Sequence, residues 1–253
     1  MNTNVRIILV RLRYWGLITL DVERARQLVV REALKYLVDA EVIGIGTGST
    51  VDMLINLMSA SKDVLRSKYF IASSTATALK LRDVGFKVFN TLSVDYVDIY
   101  VDSADRVDRN LNLIKGGGAA LTLEKLLAYY SKFNLFIIDY SKFVDRFSGD
   151  ELIPIDVLPQ ALSLVTNQLR KLGYKYSIRY SGKGKYGPVV SDVGGIIVDV
   201  NLPVGEDLSE FNRKIKYLPG VIETGLFIGF SDLVLVGYAD RVDALRGCRL
   251  TGM

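Results

Sequence analysis

Between residues 42 and 139, short apolar runs alternate with stretches whose apolar residues recur at the helical period, and no other feature restricts the fold as much. "EVIGIG", "KYFIASS", "KVFN", "VDIYVD" and "NLFIID" read as strands, while "VDMLINLM", "TATALKLRDVG" and the run from Leu121 read as helices, the second closed by Gly85. "NLFIID" is apolar without interruption, the composition of a strand covered on both faces. Such elements on short connections give an α/β fold with a doubly wound, mostly parallel, Rossmann-like sheet. Upstream, "DVERARQLVVREALKYLV" places Ala25, Leu28, Val29, Leu34 and Leu37 along one helical stripe.

From residue 151 the texture changes. A helix ("ALSLVTNQLRKLG"), a strand ("YKYSIRY"), two further strands ("PVVSD" and "GGIIVDVNL"), a helix ("DLSEFNRKIKYL") and a strand ("GVIETGLF") follow on short turns. They predict a small antiparallel α+β unit of ferredoxin-like type over 151–228. "SDLVLVGY" then returns to the large sheet, so residues 1–150 and 229–253 form the large domain.

The chemistry open to this scaffold is narrowed by what the chain lacks. There is no histidine, which removes the commonest general base, histidine-dependent triads and the usual zinc sites. Proton transfer must run on Asp, Glu, Lys or Tyr. The single cysteine, Cys248, precludes an intrachain disulfide and suits a reducing cytoplasm. A net charge of +4 and a pI near 9.0 favour anionic ligands weakly, and the basic residues are too scattered for nucleic acid. "MNTNVRIILVRLRYWGLITL" is apolar and basic, but Arg11 and Arg13 interrupt a run too short for a membrane span, and no small-residue cleavage site follows. An extra strand or a misassigned start is the expectation there, with no membrane partner.

Three polar clusters stand out. "GIGTGST" ends a strand and opens a helix; its glycines admit an anion, and helix N–H groups joined by Thr47, Gly48, Ser49 and Thr50 suit a phosphate. The spacing matches neither the dinucleotide fingerprint nor a P-loop, and a capped turn is the plain alternative. "SSTAT", Ser73 to Thr77, repeats the arrangement at a neighbouring strand end, where parallel strands open onto one crevice.

The third cluster is "DSADRVDRNLNLIKGGGAALTLEKLL". Asp102 ends a strand, Asp105 follows it, and Lys115 precedes Gly116, Gly117 and Gly118. At about 100° per residue Glu124 falls between Leu127 and Ala128, inside the apolar arc of the next helix. A carboxylate there needs a partner or a cavity, and desolvation would raise its pKa toward that of a general base. Alternatively Glu124 merely favours the helix N-terminus, Lys115 is a surface lysine, and the aspartates form a solvated turn or hold magnesium.

In this order and spacing, "GIGTGST", "DSAD", "NLNLIKGGGAALTLEK", "DYSK", "PIDVLP" and "PGVIETGLF" resemble the ribose-5-phosphate isomerases of type A, from about Asp21 to the C-terminus. The resemblance implies a phosphosugar isomerase of the non-oxidative pentose phosphate pathway, a homodimer or homotetramer with no metal and no organic cofactor. It places Glu124 as catalytic base, with Asp102, Asp105 and Lys115 as further active-site residues. Thr47, Ser49 and Thr50 match the phosphate turn, and Lys142 the lysine after the next strand. Arg26 stands where lysine is usual, which keeps charge but alters geometry. Ser103 replaces the usual glycine, and residues 1–20 have no counterpart.

Aldose–ketose isomerisation removes a proton beside a carbonyl and returns one to the next carbon. One carboxylate, Glu124, can make both transfers, while Lys115 and the N–H groups of Gly116 to Gly118 stabilise the enediolate oxygens. Two other readings compete with this one. An amino-sugar-phosphate isomerase or deaminase of similar fold usually relies on histidine, and a sugar-phosphate-sensing regulator carries a DNA-binding segment that twenty N-terminal residues cannot build.

Overall fold

The computed structural model describes residues 3–149, 151–182, 184 and 186–249, with side chains described from Leu20 onward. The first part of the chain forms α1 (Thr3–Leu37), β1 (Val42–Ile45), α2 (Ser49–Ala60), α3 (Lys62–Leu65), β2 (Tyr69–Ala72), α4 (Thr75–Asp83) and β3 (Val88–Phe89). It continues with β4 (Val97–Asp102), β5 (Arg106–Val107), β6 (Leu113–Ile114), α5 (Leu121–Tyr130) and β7 (Ser131–Asp139). Then come β8 (Leu152–Val157), α6 (Leu162–Lys171), β9 (Tyr176–Ile178), β10 (Ile196–Asn201), α7 (Leu208–Lys216), β11 (Val221–Thr224), β12 (Leu226–Phe227), β13 (Leu233–Gly237) and β14 (Val242–Arg246).

Seven strands make the large sheet in the order β14-β13-β7-β4-β1-β2-β3, parallel except for β14. Alternation along β7 decides the layers. Leu135 and Ile137 enter a core with Val29 of α1 and Leu54 of α2, whereas Phe136 and Ile138 enter a second core with Leu127 of α5. Each such fully buried side chain contributes roughly 1.5–3 kcal/mol relative to exposure. From β1 the chain winds outward to β2 and β3, then returns to the other side of β1 as β4. That reversal is where an open α/β sheet leaves a crevice beyond its strand ends.

The smaller sheet, β11-β8-β10-β9, is antiparallel and packs Val165, Leu169, Phe211 and Ile215 of α6 and α7 against Ile155 and Val198. A third sheet, β12-β6-β5, is short.

Three expectations differ from the structure. No extra strand precedes Asp21, because α1 starts at Thr3; the segment has no proline and a single glycine among helix-favouring Leu and Arg, so the helix extends back through it. "PVVSD" supplies only the isolated bridges Tyr180–Pro188 and Val190–Ile196, since proline has no N–H for a ladder. "GVIETGLF" splits at Gly225 into β11 and β12, which belong to different sheets. Among the described residues no helix is long and apolar enough to cross a membrane.

Candidate active site

Strand register brings the polar clusters to one level. Ile45 pairs with Ala72 on one side and Val101 on the other, so Gly46, Ser73 and Asp102 leave the sheet side by side. Gly46 N–H donates to Val101 O at 2.9 Å and Ser73 N–H to Ile45 O at 2.9 Å. A Cβ at Gly46 would lie 1.8 Å from Asp102 Cγ, so only glycine lets that carboxylate reach the turn.

Asp102 is fully buried. Its Oδ1 accepts the N–H groups of Thr47 (3.1 Å) and Ser103 (2.7 Å), and its Oδ2 accepts the Tyr100 hydroxyl and Lys115 Nζ (2.7 Å). Tyr100 lies two residues back on the same strand face, and Gly44 makes room for its ring. Four protein donors fill the Asp102 oxygens, so this carboxylate is not one offered to a magnesium ion.

A hairpin delivers Lys115. β5 pairs with β6, Arg106 opposite Ile114, and the Asp105 N–H donates to Ile114 O at 2.8 Å. Asp108 accepts the N–H (2.8 Å) and side-chain amide (2.9 Å) of Asn112, closing the turn in which Leu111 has φ 59°. Part of the polarity of "DSADRVDRNLN" therefore serves the hairpin itself.

Beyond β6, Lys115 is 2% exposed and its Nζ reaches three oxygens: Ser103 O at 2.6 Å, Asp102 Oδ2 at 2.7 Å and Glu124 Oε2 at 3.2 Å. Burial works against the ammonium, but the carboxylates of Asp102 and Glu124 outweigh it and hold its pKa above the usual lysine value. Glu124, on the first turn of α5, is likewise 3% exposed. Burial raises its pKa, Lys115 pulls it down and Asp102 raises it again, with a net shift well above the ordinary carboxylate range. Its Oε2 contacts Lys115 only as an ion pair and has no hydrogen bond.

The triple glycine turns the chain from Lys115 into α5. Gly116 has φ +105°, and the Ala119 N–H closes the turn on Gly116 O at 3.0 Å. Asp105 is exposed and accepts the Gly117 N–H at 2.8 Å. A Cβ on Gly118 would lie 3.6 Å from Thr47 Cγ2, so the glycine loop and the "GIGTGST" turn face each other.

No described side chain caps α2, whose first turn starts after Gly48 at φ 143°. Thr47 Oγ1 instead meets the hydroxyls of Ser73 (2.9 Å), Ser74 (2.7 Å) and Thr77 (3.0 Å), joining the starts of α2 and α4. Ser49 is exposed, whereas Thr50 is buried with its hydroxyl unpartnered. Nearby, Arg26 Nε donates to Asp139 Oδ2 at 2.9 Å. Burial raises the Asp139 carboxyl, but hydrogen bonds from Ser141 and Arg26 outweigh it and keep its pKa low. Lys142 follows on the same turn; burial lowers its pKa, opposed by Asp139 and Asp105. The site residues expected from sequence thus come from the end of β4, the loops that follow β1, β4, β6 and β7, and the helices α1 (Arg26), α2 (Thr50) and α5 (Glu124).

These features coincide with a known family. A model of ribose 5-phosphate isomerase A (phosphoriboisomerase A) matches residues 69–241. The chain belongs to the ribose 5-phosphate isomerase A family. Ribose-5-phosphate isomerase A of Korarchaeum cryptofilum is 36% identical over 226 residues, covering 89% of this chain and 98% of the relative. That of Pyrococcus horikoshii is 36% identical over 228 residues, covering 89% and 99%. Among solved structures, a D-ribose-5-phosphate isomerase in complex with phospho-erythronic acid superposes with TM-score 0.83 at 35% identity, covering 89% of this chain and 99% of that one. The ribose 5-phosphate isomerase A of Methanocaldococcus jannaschii gives 0.82 at 33%, covering 88% and 99%. As a ribose 5-phosphate isomerase A family member, the protein is an enzyme of the aldose–ketose isomerase class.

Ser103 fits without strain. Its φ is not positive, its N–H and C=O serve Asp102 and Lys115, and its hydroxyl faces Gly48, where a Cβ would approach Oγ to 3.1 Å. Other side chains at the site carry no motif. Tyr100 was legible only as a tyrosine two residues before Asp102 in a buried strand. Lys125 Nζ anchors α5 to the β11–β12 crossover through Glu223 Oε1 (3.0 Å), Thr224 O (2.6 Å) and Leu226 O (2.8 Å). Gly225 at that crossover accepts the Lys115 N–H at 2.9 Å and has no room for a side chain beside Lys115 O.

Proposed function

We propose that this enzyme interconverts D-ribose 5-phosphate and D-ribulose 5-phosphate through an enediolate, with Glu124 as the proton carrier. The observation that carries the proposal is the buried triad in which Lys115 Nζ stands 2.7 Å from Asp102 Oδ2 and 3.2 Å from Glu124 Oε2. A carboxylate with a raised pKa is a stronger base than an ordinary glutamate and can still lose its proton near neutrality.

In the open-chain aldose, Glu124 removes the C2 proton and the electron pair moves through the new C1–C2 double bond onto O1. Lys115 and the exposed N–H of Gly118 stabilise the resulting oxyanion. A proton passes from O2 to O1 beside the exposed carboxylate of Asp105, while the buried Asp102 holds Lys115 in place from behind. Glu124 then returns its proton to C1, and O2 becomes the ketose carbonyl. All electrons stay within the substrate, so the reaction calls for no redox cofactor, and Lys115 supplies the positive charge that the enediolate needs. The phosphate would rest on the uncapped first turn of α2, with Arg26 and Lys142 supplying charge from the end of β7. Anchoring the far end of the sugar fixes the reacting carbons at Glu124.

Such chemistry belongs to the non-oxidative pentose phosphate pathway in the cytoplasm. The antiparallel unit of 151–228, with Leu164, Val204 and Tyr217 exposed, is proposed as the assembly surface of a homodimer or homotetramer. Purified protein is incubated with ribose 5-phosphate, with and without EDTA, and ketose is followed. Equal ketose formation in both is expected; no ketose, or its loss with EDTA, contradicts the proposal.

A further inference from the structure

The glycine loop is held by a residue of the small sheet. Arg179 follows β9, and its backbone is fixed there: its N–H donates to Ile197 O at 2.9 Å and its C=O accepts the Val189 N–H at 2.8 Å. The guanidinium forks in two directions. Nε donates to Asp199 Oδ2 at 2.9 Å and Nη2 to Asp199 Oδ1, a bidentate pair across β9 and β10. Nη1 donates to two loop carbonyls, Gly116 O at 2.8 Å and Gly117 O at 3.1 Å. The Arg179 side chain is 21% exposed and that of Asp199 10%, so water screens these bonds only in part.

A carbonyl and the N–H of the following residue belong to one planar peptide group. A cation bonded to Gly116 O and Gly117 O therefore draws electron density from the N–H groups of Gly117 and Gly118 and strengthens both as donors. The Gly117 N–H is taken by Asp105 Oδ2. Among the described residues no acceptor takes the Gly118 N–H, and Gly118 is exposed beside Thr47.

We infer that Arg179 is a positioning residue for the isomerisation: from the small sheet it fixes the glycine loop and polarises the Gly117–Gly118 peptide group, whose free N–H meets the enediolate. Asp199 orients the guanidinium, and Asp105 holds the same loop through the Gly117 N–H. The inference rests on the enediolate mechanism proposed above. Lysine could not replace Arg179 fully, because one ammonium cannot serve a carboxylate and two carbonyls in this fork geometry.

The test compares wild type with Arg179→Met, Arg179→Lys and Asp199→Asn. For each, kcat, KM, the thermal midpoint, and Kd values for phospho-erythronic acid and inorganic phosphate are measured. The acid carries a planar anionic carboxylate where the enediolate oxygens would lie; phosphate probes only the remote site. For Arg179→Met, kcat is expected to fall about tenfold to hundredfold while KM stays within about threefold. The Kd for phospho-erythronic acid should rise by the same factor as kcat falls, with the phosphate Kd unchanged. Arg179→Lys should recover part of the loss, and Asp199→Asn should show a smaller loss of the same pattern. If the methionine variant does not fold, the other two decide by the same criteria. A kcat within about twofold of wild type, or a loss of kcat matched by equal losses in phosphate binding and thermal midpoint, overturns the inference. Failure of the enediolate mechanism is read separately, from normal turnover in Glu124→Gln.

Discussion

Glu124 Oε2 stands 3.2 Å from Lys115 Nζ, and each side chain is 3% exposed, so a base and a cation share a pocket that water scarcely enters. Burial alone would leave the carboxyl protonated; Lys115 alone would leave it a weak base. Their opposition, with Asp102 adding negative charge behind the lysine, keeps the group ionisable with a raised pKa.

That balance sets the pH dependence. Since Glu124 must be ionised to accept a proton, kcat/KM is expected to rise with pH on a limb whose midpoint lies well above the ordinary carboxylate range. Asp102 raises the Glu124 pKa, so Asp102→Asn should move that limb to lower pH while lowering the plateau. For stability the sign runs the other way: the folded state holds this proton more tightly than the unfolded chain. The contribution of Glu124 is thus fully present at acid pH and is lost as pH rises through its raised value. Kinetic profiles and thermal midpoints across pH check both directions.

Lys115→Met should damage folding as well as turnover. It leaves Asp102 and Glu124 buried without their cation, a defect worth about 3–5 kcal/mol by comparison with other broken buried pairs. Denaturant unfolding measures it. The double variant Lys115→Met/Glu124→Gln should recover part of the lost stability and none of the activity, because it removes one of the two uncompensated charges.

Gly46→Ala is a single methyl group with a large expected effect. The added Cβ would meet the Asp102 carboxylate at 1.8 Å, within a ring of four donors that fix it. Loss of kcat by at least about tenfold and a stability loss of about 1–3 kcal/mol are expected from such overpacking. Alanine at Gly182, where a side chain meets nothing within 4 Å, is the control.

Arg26→Ala should act on binding. Its side chain, on α1, pairs with Asp139 at the end of β7 at 2.9 Å and makes no bond to Lys115 or Glu124 among the described contacts. KM is expected to rise about tenfold with kcat within about threefold, and Arg26→Lys should restore most of the affinity. Steady-state kinetics with ribose 5-phosphate distinguish this from a change in the chemical step.

Much of the fold was legible because its signals are local. "VDIYVD" and the apolar run "NLFIID" read as strands, and both are buried almost throughout as central strands of the large sheet. Glu124 was legible for the same reason, since helical geometry alone turned a carboxylate toward the core. What the sequence could not disclose depends on distant pairing. Gly225 looks like an ordinary strand residue until β11 and β12 are seen to leave in different sheets, and Arg179 lies 62 residues from the Gly117 carbonyl that it holds. The hydroxyls of "SSTAT" gain meaning only once register sets Ser73 beside Gly46 and Asp102.

The most direct measurement is the turnover of Glu124→Gln with ribose 5-phosphate, because the substitution keeps the side chain's shape and removes only its capacity to take the proton. A kcat lower by at least about 10², with KM nearly unchanged and the fold intact, is the expected result. Turnover close to wild type would contradict the assignment of Glu124 as the proton carrier.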